Sequence, residues 1–206
     1  MTIPDYWDEA KRDLAARDAV LAKLVGRYEG LAMGSRGDAF STLARAIVGQ
    51  QISVKAAQSV WNRFVAEVVE VTPTHVGACE PARLRTCGLS GQKSGYLADL
   101  AARFSSGELD PARWTVLDDE ALIAELTQVK GIGRWTAEMF LIFHLARPDV
   151  LPLDDIGLQR AMSLQYNSGR PVSKLKIRRI AKPWAPWRSV ATWYLWRSLD
   201  PLPVTY

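Results

Sequence analysis

V-K-G-I-G-R-W-T-A-E-M-F, residues 129–140, sets two glycines around one apolar residue and follows them with a cation and a tryptophan. Gly131 and Gly133 both permit positive φ and the close approach of another backbone. Upstream, D-D-E-A-L-I-A-E-L-T-Q-V (118–129) has the apolar spacing of a helix, and so has W-T-A-E-M-F-L-I-F-H-L (135–145) downstream. The pattern predicts a helix, a glycine hairpin and a second helix. The N–H groups at 131–135 would then lack intrahelical carbonyls and face outward with the positive end of a helix dipole. With Lys130 and Arg134 beside them, they form a predicted phosphate site. G-x-G alone also suits a plain αα-hairpin whose glycines serve only the turn.

Helical spacing extends in both directions. Segments near 5–25, 38–49, 53–69, 92–105, 118–129, 134–146, 155–165, 173–182 and 186–199 carry apolar residues at intervals of three and four. Ser53 and Asp118 mark helix starts, while Gly88, Gly107 and Gly169 fall where helices should stop. V-V-E-V at 68–71 reads as a helix end ahead of Pro73. The fold class is all-α.

Composition narrows the function. The 206 residues are 48% hydrophobic and 23% charged, which suits a globule. No apolar run approaches about 18 residues, so no membrane span is predicted. The N-terminus lacks the basic and apolar regions of a signal peptide, so the expected location is the cytoplasm, at the nucleoid in a prokaryote, or else the nucleus. Cys79 and Cys87 are the two cysteines, which excludes a disulfide framework and a four-cysteine iron–sulfur site. The net charge of +4 hints at a polyanion, and Lys174–Lys182 holds five cations with no acid. That run fits a solvated helix face or phosphate contact. His75 and His144 have no partners at metal spacing, and Arg188 suits either an acid in the core or a phosphate.

With these features in hand, the chain resembles the 3-methyladenine DNA glycosylase II family of the helix–hairpin–helix base-excision superfamily. The hairpin is one match, and D-V-L-P-L-D-D-I-G-L-Q-R at 149–160 is the second. A-I-V-G-Q-Q-I-S (46–53), C-G-L-S-G-Q-K (87–93) and W-A-P-W-R-S-V-A-T-W-Y-L-W (184–196) complete the set in the same order. The resemblance implies two helical lobes with a DNA-binding cleft between them: residues 38–118 as one lobe, and 1–37 with 119–206 as the other, carrying the hairpin at 118–146. It implies no N-terminal β-domain, for which the chain is too short.

The resemblance also assigns roles. Lys130, Gly131, Gly133 and Arg134 would hold DNA phosphate, positioning the duplex without reading sequence. Main-chain carbonyls of Thr127, Val129 and Ile132 are positioned to hold a monovalent or divalent cation, although no cofactor is required. Gln51 stands at the wedge position, with Gln50 assisting, so the plug is polar. Trp135 and Trp196 would line a base pocket with Met139 and Ile156, the latter two where relatives carry aromatic residues; base stacking on an aromatic ring is worth about 1–3 kcal/mol. Asp155 matches the catalytic carboxylate, and Asp154 reads as a residue that caps the helix or orients. Trp135 occupies the place of the nucleophilic lysine of bifunctional relatives, so a monofunctional enzyme is implied. Its partner would be double-stranded DNA containing alkylated bases, bound by a monomer. Two rivals stand beside this reading: a noncatalytic DNA- or lesion-binding protein, and a glycosylase for oxidised or deaminated bases.

Overall fold

Asp18 divides the first predicted helix in two. In the structure, a computed structural model that describes residues 2–34 and 37–199, α1 spans Trp7–Arg17 and α2 spans Ala19–Arg27. Asp18 adopts extended backbone between them, and its Oδ1 accepts the N–H groups of Val20 and Leu21. Its Oδ2 accepts Tyr166 Oη–H and Trp184 Nε1–H. Helical spacing runs through this point, but a carboxylate with four donors holds the break open.

The helices continue as α3 Ala39–Gly49, α4 Val54–Val68, α5 Pro73–Ala78, α6 Pro81–Thr86, α7 Gly91–Ser105, α8 Asp119–Leu126, α9 Arg134–Phe143, α10 Ile156–Tyr166, α11 Lys174–Ala181 and α12 Arg188–Arg197. Among the described residues the fold is all-α. Ser53 and Asp118 cap α4 and α8 through Ala56 N–H and Ala121 N–H. Gly88, Gly107 and Gly169 take φ of 93°, 75° and 79° at or just beyond the helix ends they were expected to mark. The six-residue helices α5 and α6 have no counterpart among the predicted segments. Each is too short to show a period, and each starts with a proline preset for the first turn.

The chain divides into two compact units, Gly37–Phe140 and Met1–Arg36 with Leu141–Tyr206. In the first, α7 packs against α3, α5 and α6, burying Leu97, Leu100 and Ala101 completely. Fully burying a leucine is worth about 1.5–3 kcal/mol. In the second, α12 packs against α1, α2 and α10 and is buried from Ser189 to Arg197, as a central helix must be. The hairpin loop and α9 as far as Phe140 fall in the first unit, whereas the sequence put the boundary near 118 and grouped the hairpin with the termini. Its loop is tied to that unit by Asp99 and Gln50, which bond Lys130 and Gly131. A boundary set by such long-range bonds has no local signature.

Candidate functional site

The hairpin is built by short turns. Val129 N–H donates to Leu126 O at 3.2 Å, and Ile132 N–H donates to Val129 O at 3.0 Å. The side chains of Val129 and Ile132 are buried and root the turn in its unit. Gly131 has φ 84°, and a Cβ added there would lie 2.1 Å from Cδ2 of Tyr96. Only glycine fits. Gly133 is different: its φ is not positive, and an added Cβ would meet nothing within 4 Å. The fold therefore needs Gly131, and what approaches it is an aromatic ring rather than a backbone. It leaves the space at Gly133 open, just ahead of the start of α9. The N–H groups of Gly131 and Gly133 donate to no group among the described residues.

The two expected cations diverge. Lys130 extends into solvent with its Nζ 4.0 Å from Asp99 Oδ1. Arg134 is instead held by carboxylates, donating to Glu120 through Nη1 at 2.8 Å and to Glu138 Oε1 through Nε at 3.0 Å. Hydrogen bonding to Glu120 raises the Arg134 pKa, and the same bond lowers that of Glu120. Its half-exposed guanidinium is thus already bonded to two carboxylates, where the sequence placed it on a phosphate. Spacing along the chain did not reveal that Glu120, in the first turn of α8, would meet it.

Gln50 and Gln51 also separate. Gln50 Nε2–H donates to Gly131 O at 2.8 Å, so this side chain clamps the hairpin rather than assisting a wedge. Gln51 is exposed at φ 59°. Left-handed backbone costs a non-glycine residue about 1–3 kcal/mol and persists only where the surroundings impose it.

The other unit holds the candidate carboxylate, at the start of α10. Asp155, 6% exposed, is its N-cap: Oδ1 accepts Leu158 N–H at 2.5 Å and Trp196 Nε1–H at 2.7 Å. The cap was assigned to Asp154, which the structure instead exposes and pairs with Lys174. The reason is position, since Asp155 immediately precedes the first helical residue. Trp196 is buried and stacks on Phe143 with ring centres 5.6 Å apart, so its indole orients Asp155. Gly157 was missed by sequence reading. An added Cβ there would sit 3.1 Å from both Asp155 Oδ1 and Trp196 Cδ1, so its absence lets ring and carboxylate meet. The signal was present as D-I-G, a glycine inside the first helical turn.

Of the other predicted pocket residues, Trp135 is 40% exposed and Ile156 is 80% exposed, while Met139 is buried. Trp135 and Met139 belong to the unit Gly37–Phe140, whereas Asp155, Ile156 and Trp196 belong to the other. Arg188 forms a two-pronged pair with Asp149, Nε to Oδ1 and Nη2 to Oδ2 at 2.7 Å each, which settles it as a structural ion pair. His75 bonds Thr72 at a surface helix start. Burial and Glu67 push both thiols upward, against nucleophilic use. Among the described residues no cluster of His, Cys, Asp or Glu suits a metal. A cation at the hairpin would rest on the carbonyls of Thr127, Val129 and Ile132. Each carbonyl oxygen has two lone pairs, so Val129 O retains one after accepting Ile132 N–H, and such neutral hard oxygens fit an alkaline-earth ion.

Comparison with known proteins gives the family in which a glycine-opened helix start and a buried, helix-capping carboxylate stand here. Residues 44–186 match the family model of the HhH-GPD superfamily base excision DNA repair protein, and the chain belongs to that superfamily. It is 36% identical over 183 residues to DNA-3-methyladenine glycosylase 1 of Schizosaccharomyces pombe, covering 86% of this chain and 80% of that protein. It superposes on a DNA-3-methyladenine glycosidase of Bacillus halodurans with a TM-score of 0.88 at 31% identity, covering 97% and 93% of the two chains. The S. pombe 3-methyladenine DNA glycosylase in complex with abasic DNA gives a TM-score of 0.80 at 31% identity over 96% and 99%.

Proposed function

We propose that the protein is a monofunctional DNA glycosylase that extrudes alkylated purines, 3-methyladenine and 7-methylguanine among them, and hydrolyses their N-glycosidic bonds in base excision repair. The observation that carries this reading is Asp155, a buried carboxylate oriented by an indole and a helix N-terminus in a chain of the base-excision superfamily. Named relatives that act on 3-methyladenine support the substrate class.

The hairpin anchors duplex DNA. N–H groups of Gly131 and Gly133 take a phosphate at the positive end of α9, with Lys130 adding charge. A cation on the carbonyls of Thr127, Val129 and Ile132 would supply further positive charge beside the same phosphate. Gln51 fills the space left by the extruded nucleotide, where its amide can bond the orphaned base. Trp135 offers a ring face to the base, and Ile156 offers apolar surface beside the carboxylate.

As the C1′–N bond breaks, its electron pair leaves with the base. An N3- or N7-alkylated purine is cationic and departs neutral, so no strong general acid is required. The sugar develops oxocarbenium character, which the Asp155 carboxylate stabilises. Water then adds to C1′ and gives up its proton, leaving an abasic site. Trp135 has no amine for a Schiff base, so the strand stays intact. The enzyme works as a monomer on chromosomal duplex, with the nucleoid or in the nucleus.

Base release from a methylated duplex tests this reading. Chromatography should identify free alkylpurines, and a gel should show strand breaks only after alkali. Tight binding to the same DNA with no released base would instead make Asp155 a helix cap and the protein a lesion-binding module.

A further inference from the structure

One face of α7 reaches both functional loops of the unit Gly37–Phe140. Lys93, Tyr96 and Asp99 recur at three-residue intervals along it. Asp99 Oδ2 accepts Lys130 N–H at 2.9 Å, and the Tyr96 ring covers Gly131. Lys93 Nζ donates to Val48 O and Gln50 O, at 2.7 Å each. Gln50 closes the circuit by donating from Nε2 to Gly131 O at 2.8 Å. The next residue is Gln51, exposed and at φ 59°.

We infer that Lys93 and Gln50 form a latch that fixes the Gln51 plug relative to the phosphate-binding hairpin, making Lys93 a positioning residue for base extrusion. The inference rests on the glycosylase reading above. Carbonyls at the end of α3 lack intrahelical donors. An ammonium has three N–H donors, and Lys93 spends two of them on this turn. The ammonium holds the carbonyl of Gln50 while the Gln50 side chain holds the hairpin. Gln51 therefore leaves the turn in one direction only. A plug held loosely would still let an unpaired base be cut, but it would not push a paired base out of the stack.

Single-turnover base release separates extrusion from chemistry. The same alkylated purine is placed in a fully paired duplex and in a one-nucleotide bulge, where it is already unpaired. Lys93→Met keeps the aliphatic stem and removes the donors, and Gln50→Leu cuts only the bridge. Both should slow release from the paired duplex on the order of tenfold and retain the wild-type rate on the bulge. Lys93→Arg should recover part of the loss, and the double variant should be no slower than the slower single one. Equal slowing on both substrates, or slowing on neither, overturns the latch.

If the wild type releases no base from either substrate, the glycosylase reading fails by itself. The latch is then read from 2-aminopurine placed opposite a tetrahydrofuran abasic analogue. The wild type should brighten this base on binding and Lys93→Met should not; equal responses overturn the latch.

Discussion

Two helix starts in this protein have the same backbone electrostatics and opposite fillings. At α9 the preceding residue is Gly133, which has no side chain to cap with and open space where one would stand. At α10 the preceding residue is Asp155, whose carboxylate takes Leu158 N–H. Exposed N–H groups at a helix start attract an anion in either case. The first start has no cap side chain of its own, and the second is filled by the chain's own carboxylate. On the proposed function, one physical device would serve both anchoring and chemistry: an open start would bind a phosphate, and a closed one would orient a carboxylate toward a developing cation.

The sharpest way to break this comparison is to remove the charge from the closed start. Asp155→Asn keeps the cap shape, and excision should fall on the order of 10²–10³-fold while affinity for abasic-site DNA is retained. Full activity in a single-turnover assay would end the catalytic assignment. The open start is sharpened by a pair of glycine variants. Gly131→Ala meets both the positive φ and the Tyr96 ring, so it should lose about 2–4 kcal/mol in chemical denaturation. Gly133→Ala should unfold with the wild type yet bind abasic DNA more weakly. A matching loss of stability in the two would mean that both glycines serve only the fold.

A smaller effect is expected at Trp196→Phe, which keeps a ring against Phe143 and removes the donor to Asp155. Excision should slow about tenfold with little change in affinity, and an unaltered rate would leave Leu158 N–H as the sufficient guide. The smallest effect concerns pH at the hairpin anchor. Burial alone would raise the Asp99 pKa, but the Lys130 amide and Arg103 outweigh it and hold it below 3.8. A carboxylate lowered in this way stabilises the fold above its unfolded value, and that contribution is lost as pH falls through the lower folded value. Between about pH 5 and about pH 3, Asp99→Asn should therefore lose less of its melting temperature than the wild type does. Parallel melting curves would show that Asp99 does not anchor the loop.

Several of these features are legible in the sequence. Helical spacing gave the class of fold, and Ser53 and Asp118 cap the helices that the sequence assigned to them. The hairpin and the Asp154–Asp155 pair could be found because glycine pairs and helix-preceding carboxylates are local signals, and the family resemblance singled out Asp155. Other features left no local trace. Asp18 interrupts a continuous apolar pattern because Tyr166 and Trp184 come back to it from far along the chain. Arg134 meets Glu120 only once the hairpin has closed.

The sequence by itself determined the longer helices, the caps at Ser53 and Asp118, the glycine turn and the presence of a carboxylate ahead of α10, since propensity and capping act over one or two helical turns. Tertiary structure alone decided which cation stayed extended, which glutamine became the clamp, which aspartate became the cap and what the indole of Trp196 would hold. Those outcomes depend on hydrogen bonds between residues distant in sequence, such as Gln50 with Gly131 and Asp155 with Trp196. A donor's partner is set by what packing brings within about 3 Å of it, and no local pattern of residue types encodes that distance.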